Sequence, residues 1–222
     1  MVTSATATPW WRSSTLADLW HEQLAAPRDE DPYPDVDKLP RGWLLDHGLA
    51  DILEPFAVIA HDRHDLTRIA GLDGGAARRL LRRLPESELG ERQNDAPTMR
   101  DLLTVIATHP RVVTGIGYVV GPDRWDERLS LEGLQIADTD LLGFEPDILP
   151  GRLPPRVRSL DAWAQEEYHA HRRGCVEGSV MRQQWYAARH RYGITGARTP
   201  PTEIGPRYVF GHSGGVLRLW WT

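Results

Sequence analysis

The chain is short of cysteine, lysine and asparagine. A single cysteine, Cys175, excludes an intramolecular disulfide framework and suits a reducing compartment. Lys38 is the only lysine and Asn94 the only asparagine, so arginine carries nearly all the positive charge, a usage typical of a GC-rich genome. No apolar run reaches membrane-spanning length and no basic-then-apolar leader opens the chain, which predicts a soluble, cytoplasmic protein with no membrane partner. The formal net charge of -5 removes any global attraction to nucleic acid and leaves only a local basic surface as a route to it. Motifs of catalysis are lacking too. There is no phosphate loop ending in Gly-Lys-Ser/Thr, no His-Glu-x-x-His and no Gly-x-Ser-x-Gly, so no catalytic residue and no cofactor is assigned. Gly115, Gly117 and Gly121 mimic a dinucleotide loop but precede a second strand, where phosphate binding needs a helix N-terminus.

What is present organises itself around residues 98–137. Met99, Leu102, Leu103, Ile106 and Ala107 recur at helical spacing, Thr98 with Asp101 forms a capping-box pattern, and Pro110 ends the helix. Residues 112–120 then alternate a large face with a small one bearing Gly115 and Gly117, which predicts a strand packed closely on one side. Gly121-Pro122 turns the chain, a charged loop carries Trp125, and a second strand follows. Leu129 and Leu131 are out of phase with Leu134 and Ile136, which places a bulge at Glu132-Gly133.

Three regions are expected: a mobile tail over 1–14, a mainly helical region over 15–97, and an α+β region over 98–222 closed by a C-terminal hairpin. In the second, Thr15 and Asp18 cap a helix with Leu16, Leu19, Trp20 and Leu24 on one side, and the acidic, proline-rich stretch 27–40 reads as a solvated connector. The polar stretch Glu91-Arg92-Gln93-Asn94-Asp95 reads as side chains that tie a loop down. In the third region, helices are expected over 160–173 and 179–192. Strands over 207–210 and 216–221 would form the closing hairpin and join the sheet. The fold class is therefore α+β, with helices packed on a small, mainly antiparallel sheet.

A short helix from Asp65, a turn over Ile69-Ala70-Gly71-Leu72 and a longer helix over 74–84 resemble the helix-turn-helix unit of bacterial winged-helix regulators. Ala77, Leu80, Leu81 and Leu84 form the apolar side of the longer helix, and Arg78, Arg79, Arg82 and Arg83 line the other. Its first turn, Gly74-Gly75-Ala76, offers no groups to a base edge, so the resemblance implies phosphate contact with weak sequence discrimination and strong salt dependence. Glu91-Arg92-Gln93-Asn94-Asp95, Gly121-Pro122, Asp126-Glu127-Arg128 and the closing Leu219-Trp220-Trp221 resemble hypothetical proteins of Streptomyces and related actinobacteria, a likeness that lends no site residues.

Two clusters could hold a metal. His61, His64 and Asp65 would share a helical face but lack a further ligand, and His169, His171 and Cys175 are spaced so that the two histidines cannot chelate together on a helix. The leading expectation is a non-enzymatic, DNA-contacting accessory or regulatory protein acting through the four arginines. The alternatives are a protein-interaction or immunity-type module with Trp125 in its contact surface, and a small metal-dependent hydrolase built on the histidines.

Overall fold

The structure is a computed structural model that describes residues 15–27, 32, 38–58, 66–141, 183–207 and 215–221. It is α+β, with helices packed on one six-stranded antiparallel sheet whose order is β1-β2-β3-β4-β6-β5. The strands are β1 (Ala57–Val58), β2 (Leu66–Leu72), β3 (Val113–Val120), β4 (Arg128–Ile136), β5 (Glu203–Arg207) and β6 (Val216–Trp220). The helices are α1 (Leu16–Ala25), α2 (Trp43–Asp46), α3 (Ala50–Leu53), α4 (Gly74–Arg83), α5 (Glu86–Gly90), α6 (Met99–Thr108) and α7, over 183–192.

Helix α6 forms where its signals place it. Thr98 Oγ1 accepts from the Asp101 amide at 3.1 Å and the Asp101 carboxylate accepts from the Thr98 amide at 3.3 Å, a reciprocal cap worth about 1 kcal/mol. Its Met99, Leu102, Leu103, Val105 and Ile106 are buried. They press on a sheet face made by Val113 and Val119 of β3 and Leu129, Leu131, Leu134 and Ile136 of β4, all of them buried. A Cβ at Gly115 would lie 2.8 Å from Ile106 Cδ1, so this glycine lets helix and strand approach. Gly117 serves a different purpose. A Cβ there would stand 2.0 Å from Ser130 O, so it accommodates the neighbouring strand and not the helix. The register shifts from Gly117 opposite Leu131 to Ile116 opposite Gly133, leaving Glu132 as the extra residue of the expected bulge.

The region before α4 corrects the helix-turn-helix reading. Leu66–Leu72 is strand β2, paired antiparallel with β3 from Leu66 opposite Val120 to Leu72 opposite Gly115, so α4 follows a strand and no first helix exists there. Thr67 and Ile69 are buried while Arg68 and Ala70 are exposed, the alternation of a half-covered strand. Gly71, at φ 73°, absorbs the irregularity that returns Leu72 to the buried face. Pairing with β3 outweighs the local helical tendency of a short, arginine-containing segment. Since β1 and β2 lie in the same sheet as β3, residues on both sides of position 97 share one sheet and one core.

The C-terminal hairpin joins the sheet as expected, but its first strand is Glu203–Arg207, ahead of the expected 207–210, of which 208–210 lie outside the described residues. β6 pairs with β4 from Gly133 opposite Trp220 to Ile136 opposite Leu217, and β5 lies outside it. Trp221 is buried, its indole donating to Thr199 O at 3.1 Å and meeting Trp185 of α7 edge-on at 5.7 Å. Gly193, at φ 63°, ends α7.

Candidate functional site

The sequence-predicted arginines sit on α4, which Asp73 starts by accepting from the Ala76 amide at 2.8 Å. Arg78, Arg79, Arg82 and Arg83 are all exposed. Arg78 donates to Ala107 O of α6 at 2.7 Å, and the Arg83 carbonyl meets His47 Nδ1 at 2.9 Å. Arg82 and Arg83 fall in the last turn, where they also complement the helix dipole. The N-terminus of α4 is packed away: a Cβ at Gly74 would stand 2.4 Å from Pro110 Cβ. It is therefore not presented to a groove as the N-terminus of a recognition helix is.

His61, His64 and Asp65 lie outside the described residues, as do His169, His171 and Cys175. Among the described residues no group of three His, Cys, Asp or Glu is placed to hold a metal ion.

Trp125 is half-buried, not a projecting contact, with the Lys38 ammonium 4.5 Å from its ring centroid. Its loop is anchored to the N-terminal region from several sides. Arg41 Nε donates to Pro122 O and its Nη2 to Gln23 O and Ala26 O, each at 2.7 Å. The Glu127 carboxylate accepts from the Gly42 amide at 2.7 Å and the Leu44 amide at 3.1 Å, capping α2 from a distant part of the chain, while the Trp43 indole donates to Glu127 O at 3.1 Å.

This anchored loop forms one side of a cleft of about 450 Å³. Opposite it stand Ser87 and Glu88 of α5 and the following Glu91 to Gln93, and its floor is β4 from Arg128 to Leu131 with Leu39 and Met99. Volume and mixed lining suit a ligand-sized occupant. Arg128 bridges the floor, ion-pairing with Asp126 and donating to Tyr118 OH at 3.2 Å. Burial works against the Asp126 carboxylate, but hydrogen bonds from Arg124, at 2.8 Å, and Arg128 outweigh it and hold its pKa below the ordinary value.

Most charges around the cleft are committed. Arg128 is engaged by Asp126 and Tyr118, Arg92 by the Ala96 and Gly196 carbonyls, and Glu127 by two backbone amides. The Glu88 and Glu91 side chains, in contrast, accept no hydrogen bond and form no ion pair with the described residues. Burial first, and then the like charge of Glu91, push the Glu88 carboxyl up to about 7, with Arg128 pulling weakly the other way.

The opposite face of the sheet carries buried polar groups beside the buried Ile116 and Val120. There Glu132 is buried and its pKa raised by that burial, against a Tyr118 hydrogen bond and the charges of Arg128, Arg68 and Arg218. Ser130 is buried beside it, and its Oγ has no hydrogen-bond partner among the described residues.

Sequence reasoning named Trp125 as a contact and Glu91 as part of a loop tie, and did not single out Glu88, Glu127 or Arg128 as site residues. Glu88 carried no signal, because its environment is made by the approach of α5 to β4. Of the stretch from Glu91 to Asp95, Arg92 ties the loop by its side chain as expected, through the Ala96 and Gly196 carbonyls, whereas Glu91 and Asp95 act through backbone oxygens, accepting from the Met99 amide at 2.8 Å and the Arg198 amide at 2.9 Å. No helix among the described residues is long and apolar enough to cross a membrane. Compared with protein-family models, curated proteins and solved structures, the chain has no match.

Proposed function

We propose that the protein is a protein-interaction module whose cleft beside Trp125 receives a cationic side chain of its partner. One observation carries this reading: two neighbouring carboxylates, Glu88 and Glu91, face the cleft without a partner among the described residues. A guanidinium or ammonium placed between them relieves their repulsion, and Trp125 and Met99 offer apolar surface to the aliphatic stem. An anionic ligand would meet the same carboxylates as repulsion. The test is a nitrogen-resolved NMR titration with Nα-acetyl-arginine methylamide against its glutamine counterpart. Shifts are expected at the Trp125 indole and along residues 86–93 with the arginine probe alone, strengthening as pH rises through 7. Equal response to both probes, or an arginine response unaffected by joint Glu88→Gln and Glu91→Gln replacement, would sink the reading.

A second reading, contact with DNA phosphates through α4, draws support from the exposure of Arg78, Arg79, Arg82 and Arg83 on one helix. Phosphate contact needs no recognition helix, so it does not depend on a helix-turn-helix. Fluorescence anisotropy with random-sequence duplex at rising salt tests it. Absence of binding at low salt removes it.

A further inference from the structure

We infer that Lys38 is a built-in occupant of the cleft: its ammonium holds the Trp125 face that the cation of a partner takes, so the site is closed by its own lysine until that cation displaces it. This rests on the cleft reading above and adds its regulation. The Lys38 ammonium stands 4.5 Å from the Trp125 ring centroid, and both residues line the cleft. Both are half-buried, so the contact lies where the cleft meets solvent and not in the core. A cation over an indole face is attracted by the ring quadrupole, and an incoming arginine or lysine is drawn to the same face. A single ring face holds one cation at a time, so the two compete.

The backbone on both sides of this contact is fixed. Just beyond Lys38, Arg41 Nε donates to Pro122 O and the Gly42 amide to the Glu127 carboxylate, each at 2.7 Å. The Trp43 indole adds a bond to Glu127 O at 3.1 Å. The chain after Lys38 and the loop of Trp125 are thereby tied together, and they cannot part to admit a ligand without losing these bonds. What can leave is the Lys38 side chain, whose flexible stem swings between rotamers with no change in the backbone. The residue type suits that movement. Lys38 is the one lysine among 26 lysines and arginines. An arginine here would lay a planar guanidinium on the ring and fork toward carboxylates, a firmer closure than a compact, strongly hydrated ammonium makes. On the opposite wall Glu88 and Glu91 form no ion pair with the described residues, so they remain to draw in the competing cation while the aromatic side of the cleft is taken. Because the ring must first be vacated, one partly exposed cation–π contact lowers the partner's affinity about two- to fivefold.

The test is a titration with Nα-acetyl-arginine methylamide of the full chain and of its Lys38→Gln and Lys38→Arg variants, with a probe on the lysine itself. Reductive dimethylation with isotope-labelled formaldehyde marks Lys38 and the α-amine, keeps both charges, and reports on one side chain because the chain has one lysine. Protons above an aromatic face are shielded, so the Lys38 methyl resonance should lie upfield of its position in urea. Saturation with the arginine derivative should return it to that position. Lys38→Gln should bind the derivative about two- to fivefold more tightly, and Lys38→Arg about twofold more weakly. A Lys38 resonance that stays shielded at saturation, or a Lys38→Gln protein that binds no tighter, overturns self-occupancy and leaves the cleft reading standing. Equal affinity of Lys38→Arg and the unaltered chain would reduce Lys38 to a repelling charge and overturn it as well. If neither the unaltered chain nor Lys38→Gln responds to the derivative, both readings fall. A response by Lys38→Gln alone supports both.

Discussion

Replacing Glu88 by glutamine should stabilise the protein, by an amount that grows as pH rises from about 4.5 to about 7 and levels off above. In the folded chain Glu88 holds its proton up to about pH 7, against an ordinary value of 4.5, because burial and the charge of Glu91 disfavour the carboxylate. Between those two values the folded state binds more proton than the unfolded chain, so the group's contribution to stability falls as pH rises through that window and stays low above it. The difference in proton affinity corresponds to roughly 3 kcal/mol for a fully desolvated group. Glu88 is only partly buried, and solvent screening brings the expected penalty to about 1.5 kcal/mol. Glutamine keeps the shape and removes the ionisation. Urea denaturation of the two proteins should give similar stabilities at pH 4.5 and a gain of about 1.5 kcal/mol for Glu88→Gln at pH 8, or roughly 3–6 °C in Tm. A variant that is equally stable or less stable at pH 8 would refute the claim that Glu88 sits in the cleft without a partner among the described residues. The same chemistry ties stability to binding: a cationic partner favours ionised Glu88, so its association should release a proton near pH 6.5 and none at pH 9.

Other predictions test the frame around the cleft. Glu127→Gln weakens two charge-assisted bonds to the Gly42 and Leu44 amides and should cost about 2 kcal/mol by urea denaturation, with the Trp125 indole resonance shifting as the loop loosens. Gly117→Ala drives a methyl into Ser130 O and should cost about 3 kcal/mol or prevent folding, whereas Gly90→Ala, with nothing within 4 Å of the added carbon, should fold normally. If DNA is bound through Arg78, Arg79, Arg82 and Arg83, the logarithm of affinity should fall with the logarithm of salt at a slope near -3.6, about 0.9 for each of four phosphates. Replacing all four with alanine should then flatten that slope without altering thermal stability by more than about 1 kcal/mol.

The features legible beforehand are those whose cause is local. The Thr15–Asp18 and Thr98–Asp101 capping boxes each need only residues three apart, and both are present. The bulge at Glu132 was visible because Leu129 and Leu131 cannot share phase with Leu134 and Ile136 on one face of a straight strand. Leu66–Leu72 was misread as part of a helix-turn-helix because its seven residues are too few to separate helical from alternating periodicity. Its identity depends on β3, some fifty residues away, offering a hydrogen-bonding edge.

The cleft belongs to the same category as β2. Trp125 stood out in the sequence as an aromatic among charges, which suggested an exposed contact; Arg41 and Glu127 instead bind its loop to the N-terminal region, and Lys38 covers its ring. Glu88 and Glu91 are ordinary residues of a polar connector until the fold brings them to the cleft lined by β4. The sequence by itself determined the α+β class, the capped helix on a glycine-bearing strand, the bulge and the hairpin that closes the sheet, since each follows from periodicity or steric demand over a few neighbouring residues. Only the tertiary structure decided which charges are paired and which are left facing the cleft, because desolvation and pairing depend on what the fold places alongside each group and not on its neighbours in the chain.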